Sequence, residues 1–259
     1  MRRISFIVLH FLFSFSAFAD ICAARDIGKI ADDPSMRMGF KNEGGMANGG
    51  VCWWHSRFQR AAWYLSVFDP GARAPTPAEA KELIRRLVSR KEVVVIPGYR
   101  DLVSFTKDFQ SEIQSALNGW QLRDAFLNQA YLRGLHGHAR FRDTAKMKSR
   151  LDRIFAEYSA AAASGDVLWV MLQMRGIDSH ASLLHSMELS PDGGYRMSMV
   201  DSNFPGQFVE YVYRPGDLDL FPANVKVGPG YASVPYAGFT RDLRRIHGAI
   251  ALYCAPASP

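Results

Sequence analysis

Cys52 has the residue setting in this chain that most favours chemistry. It follows Gly49 and Gly50 in the stretch NGGVCWWHSRFQRAAWYL, residues 48–65, and opens a run whose apolar residues are spaced to line one face of a helix. A cysteine in the first turn of a helix lies at the positive end of the helix dipole, which favours the thiolate. The glycine pair allows a substrate to approach the backbone closely. The alternative interpretation is a small buried apolar residue.

A reactive thiolate needs a histidine that takes up its proton and returns it to the leaving group. His180 and His185 both lie beside the predicted strand-turn-strand HSMELSPDGGYRMSMVDSN. A three-residue turn at 192–194 sets a register in which His185 lies directly opposite Asp201, and an alternative four-residue turn shifts this match by only one residue. In that register His180 faces position 206, beyond the expected end of the ladder. We therefore predict His185 as the base.

The imidazole in turn needs an acceptor that orients it. Asp201 is nearest in the predicted register, and Asn203, two residues further on, points to the same face of the strand. We predict Asp201 as the orienting group and Asn203 as a supporting residue. Alternatively, His185 is an ordinary strand histidine and the DSN sequence a strand-end turn.

Helices are expected first and strands later, so the sequence predicts an α+β fold in one domain, with a helical half packed on an antiparallel sheet. Residues 25–50 show no sustained periodicity and are expected to form an irregular lead-in along the surface. The predicted helices begin near Cys52 and at Thr76, follow the apolar stripe 102–113, and cover 119–132 and 145–163. The predicted strands cover 93–96, 167–174, 185–189, 195–200 and 208–213, with one more possible in HGAIALYC, residues 247–254.

Residues 1–19 read as a signal peptide, with two arginines, an apolar run and a small-x-small site that ends at Ala19. The mature chain, 20–259, is then expected to be secreted or periplasmic, with no stable membrane insertion after signal removal. Three cysteines leave an odd count. Cleavage after Ala19 leaves Cys22 and Cys254 able to pair, whereas cleavage after Ala24 removes Cys22. In both cases Cys52 keeps its special setting.

The 259 residues carry 31 Lys and Arg against 25 Asp and Glu, a formal charge of +6. These basic residues are scattered along the sequence, with short clusters only at 85–86 and 244–245. This pattern predicts no nucleic-acid partner. No cofactor is implied, and the expected partner is a protein or peptide substrate.

GGVCWW at a helix start, HSMEL on a strand and YRMSMVDSNFPG after it resemble the papain-like cysteine peptidase superfamily, in which the order is Cys, His, then Asp or Asn. Within it, VDSNFPG is most similar to the bacterial effector peptidases related to the YopT toxin. The resemblance covers residues 45–65 and 180–207. It implies a papain-like fold and a thiol hydrolase that cleaves peptide or isopeptide bonds through a thioester.

The resemblance also implies a role for each matching residue. Cys52 would be the nucleophile, His185 the base and then the acid, and Asp201 the orienting group. The Cys52 backbone N–H and an upstream side chain would hold the oxyanion. Papain-like enzymes usually use a glutamine there, and this chain has none between its signal and Cys52. We expect Asn48, or less favourably Asn42, to supply the amide.

Other activities are compatible with the same residues. A transglutaminase-like acyl transferase would use the same cysteine, histidine and aspartate, and a papain fold could be kept as a non-catalytic binding module. Cys52 and His55, three residues apart, could form a zinc site with the HGH sequence 136–138, but we predict no metal. Trp53, Trp54 and Trp63 could line a groove, although aromatic residues on a helix are more often core.

Overall fold

Helices dominate the first half of the chain and an antiparallel sheet the second, as the sequence predicts. The computed structural model describes residues 21–22, 26–43, 50–124, 144–174, 179–217, 219–224, 233–238 and 240–256. The predicted signal peptide therefore lies outside the described residues. In the part described, no helix is both long enough and apolar enough to cross a membrane.

Seven helices occur in the described part of the chain. The amphipathic spacing and the capping box at Thr76 and Glu79 correctly predict most of them. The stripe expected over 102–113 is divided in two at Phe109, and the helix expected over 119–132 is described only to Arg123. The helices are α1 Ile27–Asp32, α2 Cys52–Leu65, α3 Pro77–Ser89, α4 Leu102–Asp108, α5 Gln110–Arg123, α6 Thr144–Ala163 and α7 Thr240–Cys254.

Two sheets accompany these helices. One is a parallel pair of β1 with β2, and the other has six strands in the order β7-β6-β5-β4-β3-β8, in which every neighbouring pair is antiparallel. The predicted strands lie close to their expected positions, except that β4 begins at Ser179, six residues before the expected start at His185. The strands are β1 Ser66–Asp69, β2 Val94–Pro97, β3 Leu168–Met174, β4 Ser179–Leu189, β5 Tyr195–Asp201, β6 Phe208–Tyr213, β7 Phe221–Pro222 and β8 Ser233–Gly238.

Two sequence expectations about secondary structure are wrong. The stretch 247–254 is not a strand but the end of α7, where Leu243, Ile246 and Ala249 are buried at helical spacing. The lead-in 25–50 contains α1 and a 3₁₀ turn at Pro34–Met36, which Asp26 and Asp33 cap with their side chains.

A disulfide joins Cys22, ahead of α1, to Cys254 at the end of α7. The pairing that cleavage after Ala19 would allow is thus present, and Cys52 is a free cysteine. The bond ties the beginning of the folded chain to its end across 232 residues. Crosslinks over long loops restrict the unfolded chain most strongly.

Candidate functional site

Helix α2 lies against strand β4 through two polar contacts one helical turn apart. The Cys52 thiol lies 3.8 Å from the carbonyl oxygen of Ser179, and the Ser56 hydroxyl donates to the carbonyl of Ala181 at 3.0 Å. Residues four apart share a helix face, and residues two apart share a strand face. The two contacts therefore fix α2 along β4, with Cys52 at the strand's beginning.

The amino end of α2 has no side-chain cap. Its N-cap is Val51, which makes no side-chain capping bond. The Trp54 N–H bonds to the Val51 carbonyl, whereas the Cys52 N–H, at the first position of the helix, has no acceptor within the helix. Most helices place Ser, Thr, Asp or Asn at this position. An uncapped helix start next to a thiol leaves its positive end available to stabilise negative charge on the sulfur or on a bound oxyanion.

Asn42 holds Gly50 and Val51, the two residues that lead into Cys52. The Asn42 side-chain oxygen accepts from the Val51 backbone N–H at 2.6 Å, and its Nδ2 donates to Asn203 Oδ1 at 3.1 Å. Gly50 has a φ of +74°, and a Cβ there would lie 2.7 Å from Asn42 Nδ2. A glycine is thus required at position 50 by both conformation and space.

His180 lies between Cys52 and Asp201. Its Nε2 is 2.8 Å from Asp201 Oδ1, and the Cys52 side chain lies close enough to the ring to raise the pKa of His180. Because Nε2 is directed at the carboxylate, Nδ1 is the ring nitrogen left to face the sulfur. All three side chains are buried, with relative exposures of 7% for Cys52, 4% for His180 and 0% for Asp201.

Asp201 is held in place by several donors. Its Oδ1 also accepts from the backbone N–H of Asn203 at 2.8 Å, and the Ser182 hydroxyl lies 3.4 Å from Oδ2. Burial alone would lower the pKa of His180, but the Asp201 carboxylate and the Cys52 side chain outweigh it and raise that pKa above its usual range. The arrangement therefore favours an imidazolium beside the sulfur at neutral pH.

The predicted register of the hairpin is wrong. Leu189 pairs with Tyr195 across a longer turn than the three-residue turn expected, and a β-bulge between Leu184 and Ser186 shifts the pairing by one more residue. Ser182 consequently pairs with Asp201. His180, two residues before Ser182 and on the same face, then lies within diagonal reach of Asp201.

His185 does not meet Cys52 or Asp201. It occupies the bulge, its Nε2 lies 2.9 Å from Asp32 Oδ1, and its ring stacks on Phe208 with centroids 4.7 Å apart. The placement of His185 beside Cys52 and Asp201 is therefore wrong, and His180 occupies that position instead. The sequence held no sign of the bulge, and a shift of one residue moves a side chain to the other face of a strand.

Of the two asparagines expected to hold the oxyanion, the structure describes only Asn42. Asn48, predicted to hold the oxyanion, lies outside the described residues. Asn42 and Asn203 bond to each other, and Asn42 also bonds to Val51. The two asparagines therefore join the start of α2 to the residues that follow β5. Sequence reasoning missed Gln121 of α5, whose Nε2 donates to the carbonyl of Gly50 at 3.0 Å. No sequence motif marks this contact, since 71 residues separate the partners.

His55 is fully buried. Its Nε2 hydrogen-bonds the Phe40 carbonyl at 3.0 Å, and burial lowers its pKa to about 4. Residues 136–138 lie outside the described residues, and the described part contains no group of three or more ligating side chains. Trp53, Trp54 and Trp63 are buried in the core, so they do not line a groove.

Comparison of the chain with family models, with curated proteins and with solved structures found no match. The structure itself shows a mixed α+β fold.

Proposed function

We propose that this protein is a thiol hydrolase that cleaves peptide or isopeptide bonds, with Cys52 as the nucleophile, His180 as base and acid, and Asp201 as the group that orients His180. The observation that carries the proposal is the contact of a thiol at an uncapped helix start with an imidazole that is itself bonded to a buried carboxylate. The papain-like resemblance of the sequence supports the same roles.

In the proposed reaction the Cys52 thiolate attacks the carbonyl carbon of the scissile bond. The oxyanion that forms lies near the Cys52 backbone N–H at the start of α2, where the helix dipole favours negative charge. His180 then gives its proton to the departing amine, and a thioester remains on the sulfur. A water molecule, deprotonated by His180, attacks the thioester, which releases the carboxylic acid and restores the thiol.

Asp201 acts through His180. Its carboxylate fixes the ring with Nε2 directed away from the sulfur and compensates the positive charge that appears there. Ser182 and the Asn203 backbone N–H hold the carboxylate in turn. The Cys22–Cys254 disulfide supports the accompanying proposal that the protein acts outside the cytoplasm, because such bonds persist in oxidising compartments.

The test is cleavage of a proteome-derived peptide library, with new amino termini identified by mass spectrometry. We expect the wild-type protein to produce new termini and the Cys52→Ala and His180→Ala variants to produce essentially none. His185→Ala is the matched control, since it removes the neighbouring histidine of the same strand and should keep the activity. A library left intact by the wild type, or cleaved equally by Cys52→Ala, would overturn the proposal.

A further inference from the structure

A cavity of about 930 Å³ lies where α2, α3, α5 and α7 meet, and positive charge dominates its lining. Cys52 and His180 do not line it. Two arginines, Arg57 and Arg90, form its floor, and the carboxylates that line it are Glu112 and Asp124. Five further cations surround the floor, and with it they define the basic cavity: Lys81, Arg85, Lys91, Arg123 and Arg245.

The floor of the basic cavity is held rigidly. The guanidinium groups of Arg57 and Arg90 lie over the Trp120 ring, 4.5 and 5.0 Å from its centroid. Arg90 donates to Asp242 Oδ2 at 2.7 Å, and Arg57 donates to the same oxygen at 3.1 Å and to Asp124 Oδ2 at 3.2 Å. These bonds fix both cations in place before any ligand arrives, which reduces the entropic cost of binding.

The carboxylates of this network do not balance its cations. A single oxygen of Asp242 accepts from Arg57, Arg60 and Arg90. Burial, then repulsion from Arg57, lowers the pKa of Arg90 to about 10 despite its bond to Asp242. Asp124 is already bonded to Arg57 and to the Trp54 indole N–H. The floor therefore keeps an excess of positive charge in a partly desolvated place.

The surrounding cations add to this excess. Arg85 pairs with Glu82. By contrast, no carboxylate of the described residues lies within 4 Å of the charged groups of the other four, which are Lys81, Lys91, Arg123 and Arg245. Exposed lysines and arginines from several helices thus line the basic cavity with positive charge. Its volume is in the range that small-molecule ligands fill.

We propose that the basic cavity binds a compact anion that carries several phosphate groups. Guanidinium groups match phosphate oxygens with paired donors, and lysines add charge without fixed geometry. A single strand of nucleic acid would need aromatic faces on which bases stack. Two guanidiniums already lie over Trp120, the one aromatic side chain of the lining, so the site recognises phosphates rather than bases.

The test is isothermal titration calorimetry of the purified, disulfide-intact protein at about 0.15 M salt. The probes are inorganic tripolyphosphate, ATP and inositol hexakisphosphate, which share clustered phosphates and differ in what carries them. We expect saturable one-to-one binding of at least one probe, weakened by added salt. The tightest probe then indicates the source of the ligand. Absence of saturable binding by all three would overturn the proposal.

Matched variants separate a built site from general attraction to a basic protein. The variant Lys81→Ala, Arg123→Ala, Arg245→Ala removes three exposed cations of the basic cavity and should weaken binding at least about tenfold. The control variant Arg100→Ala, Lys148→Ala, Arg153→Ala removes the same charge elsewhere and should change binding less than about twofold. Equal weakening in both, with melting temperatures unchanged, would refute the site.

Binding of an anion in the basic cavity does not depend on the proposed hydrolase activity at Cys52. The Cys52→Ala variant should bind the tightest probe as the wild type does, because Cys52 does not line the basic cavity. Failure of probe binding would leave the peptide cleavage test unaffected, and failure of cleavage would leave the calorimetry unaffected.

Discussion

Replacing Asp201 with asparagine should largely separate the charge of the proposed site from its shape. Asparagine keeps the size and a hydrogen-bond acceptor for His180 Nε2, now 2.8 Å from the carboxylate, but removes the negative charge. Two unit charges about 4 Å apart attract by about 4 kcal/mol at an effective dielectric constant of about 20. Burial, which opposes the imidazolium, is then no longer offset by a carboxylate, although the Cys52 side chain still favours the charged ring.

In the Asp201→Asn variant, the proton that the His180 ring carries in the wild type should therefore pass to the Cys52 sulfur. A loss of about 4 kcal/mol corresponds to about a thousandfold change in the equilibrium between imidazolium–thiolate and the neutral pair. The remaining amide dipole and Ser182 offset part of the loss. We expect the rate of Cys52 alkylation at about pH 5.5 to fall between about 100-fold and 1000-fold.

The assay is the second-order rate of iodoacetamide modification, followed by mass spectrometry of the peptide that contains Cys52, from pH 4 to pH 9. The wild type should react at low pH, and Asp201→Asn should react only as the pH approaches that of ordinary thiols. His185→Ala serves as the control and should keep the wild-type profile. If Asp201→Asn and the wild type have superimposable profiles, the carboxylate does not charge the ring and the reasoning is refuted.

Three further predictions concern the pH dependence of stability, the disulfide and the acceptor of the thioester. The folded-state pKa of His180 lies above the unfolded value of about 6.5, so its stabilising contribution is complete below that pH and is lost as the pH rises through the raised value. The difference in unfolding free energy between the wild type and Asp201→Asn, measured in urea, should accordingly shrink from pH 6 to pH 10, and a constant difference would contradict it. Cys22→Ser should lower the free energy of unfolding by about 2–4 kcal/mol by releasing the link to Cys254, while peptide cleavage persists under folding conditions; an unchanged urea midpoint would show that the bond does not form. Added primary amine should leave the rate of new amino-terminus formation unchanged if water is the acceptor of the thioester, whereas mass spectra dominated by amine adducts would identify an acyl transferase.

Much of the fold follows from short-range patterns in the sequence. The capping box at Thr76 and Glu79 fixes the start of α3, and apolar alternation marks β4 to β6. The sequence suggests a strand at the end of α7 because HGAIALYC alone is too short to show helical periodicity. Its buried partners Leu243 and Ile246 lie earlier in the same helix.

The site could be predicted only in part, for a physical reason. The helix-start position of Cys52 is a local property, so the sequence carries it. The choice between His180 and His185 depends on strand register, which one bulge at His185 alters. The contact of Gln121 with Gly50 depends on the packing of α5 against the start of α2, and no local pattern encodes it.

The most direct test of the central claim compares iodoacetamide modification of Cys52 in the folded and the urea-unfolded wild type at pH 5. The account predicts faster modification in the folded protein, because only folding brings the sulfur to the helix start and to the charged His180 ring. Slower modification of folded Cys52 than of unfolded Cys52 would mean that burial merely protects an ordinary thiol, and it would contradict the account.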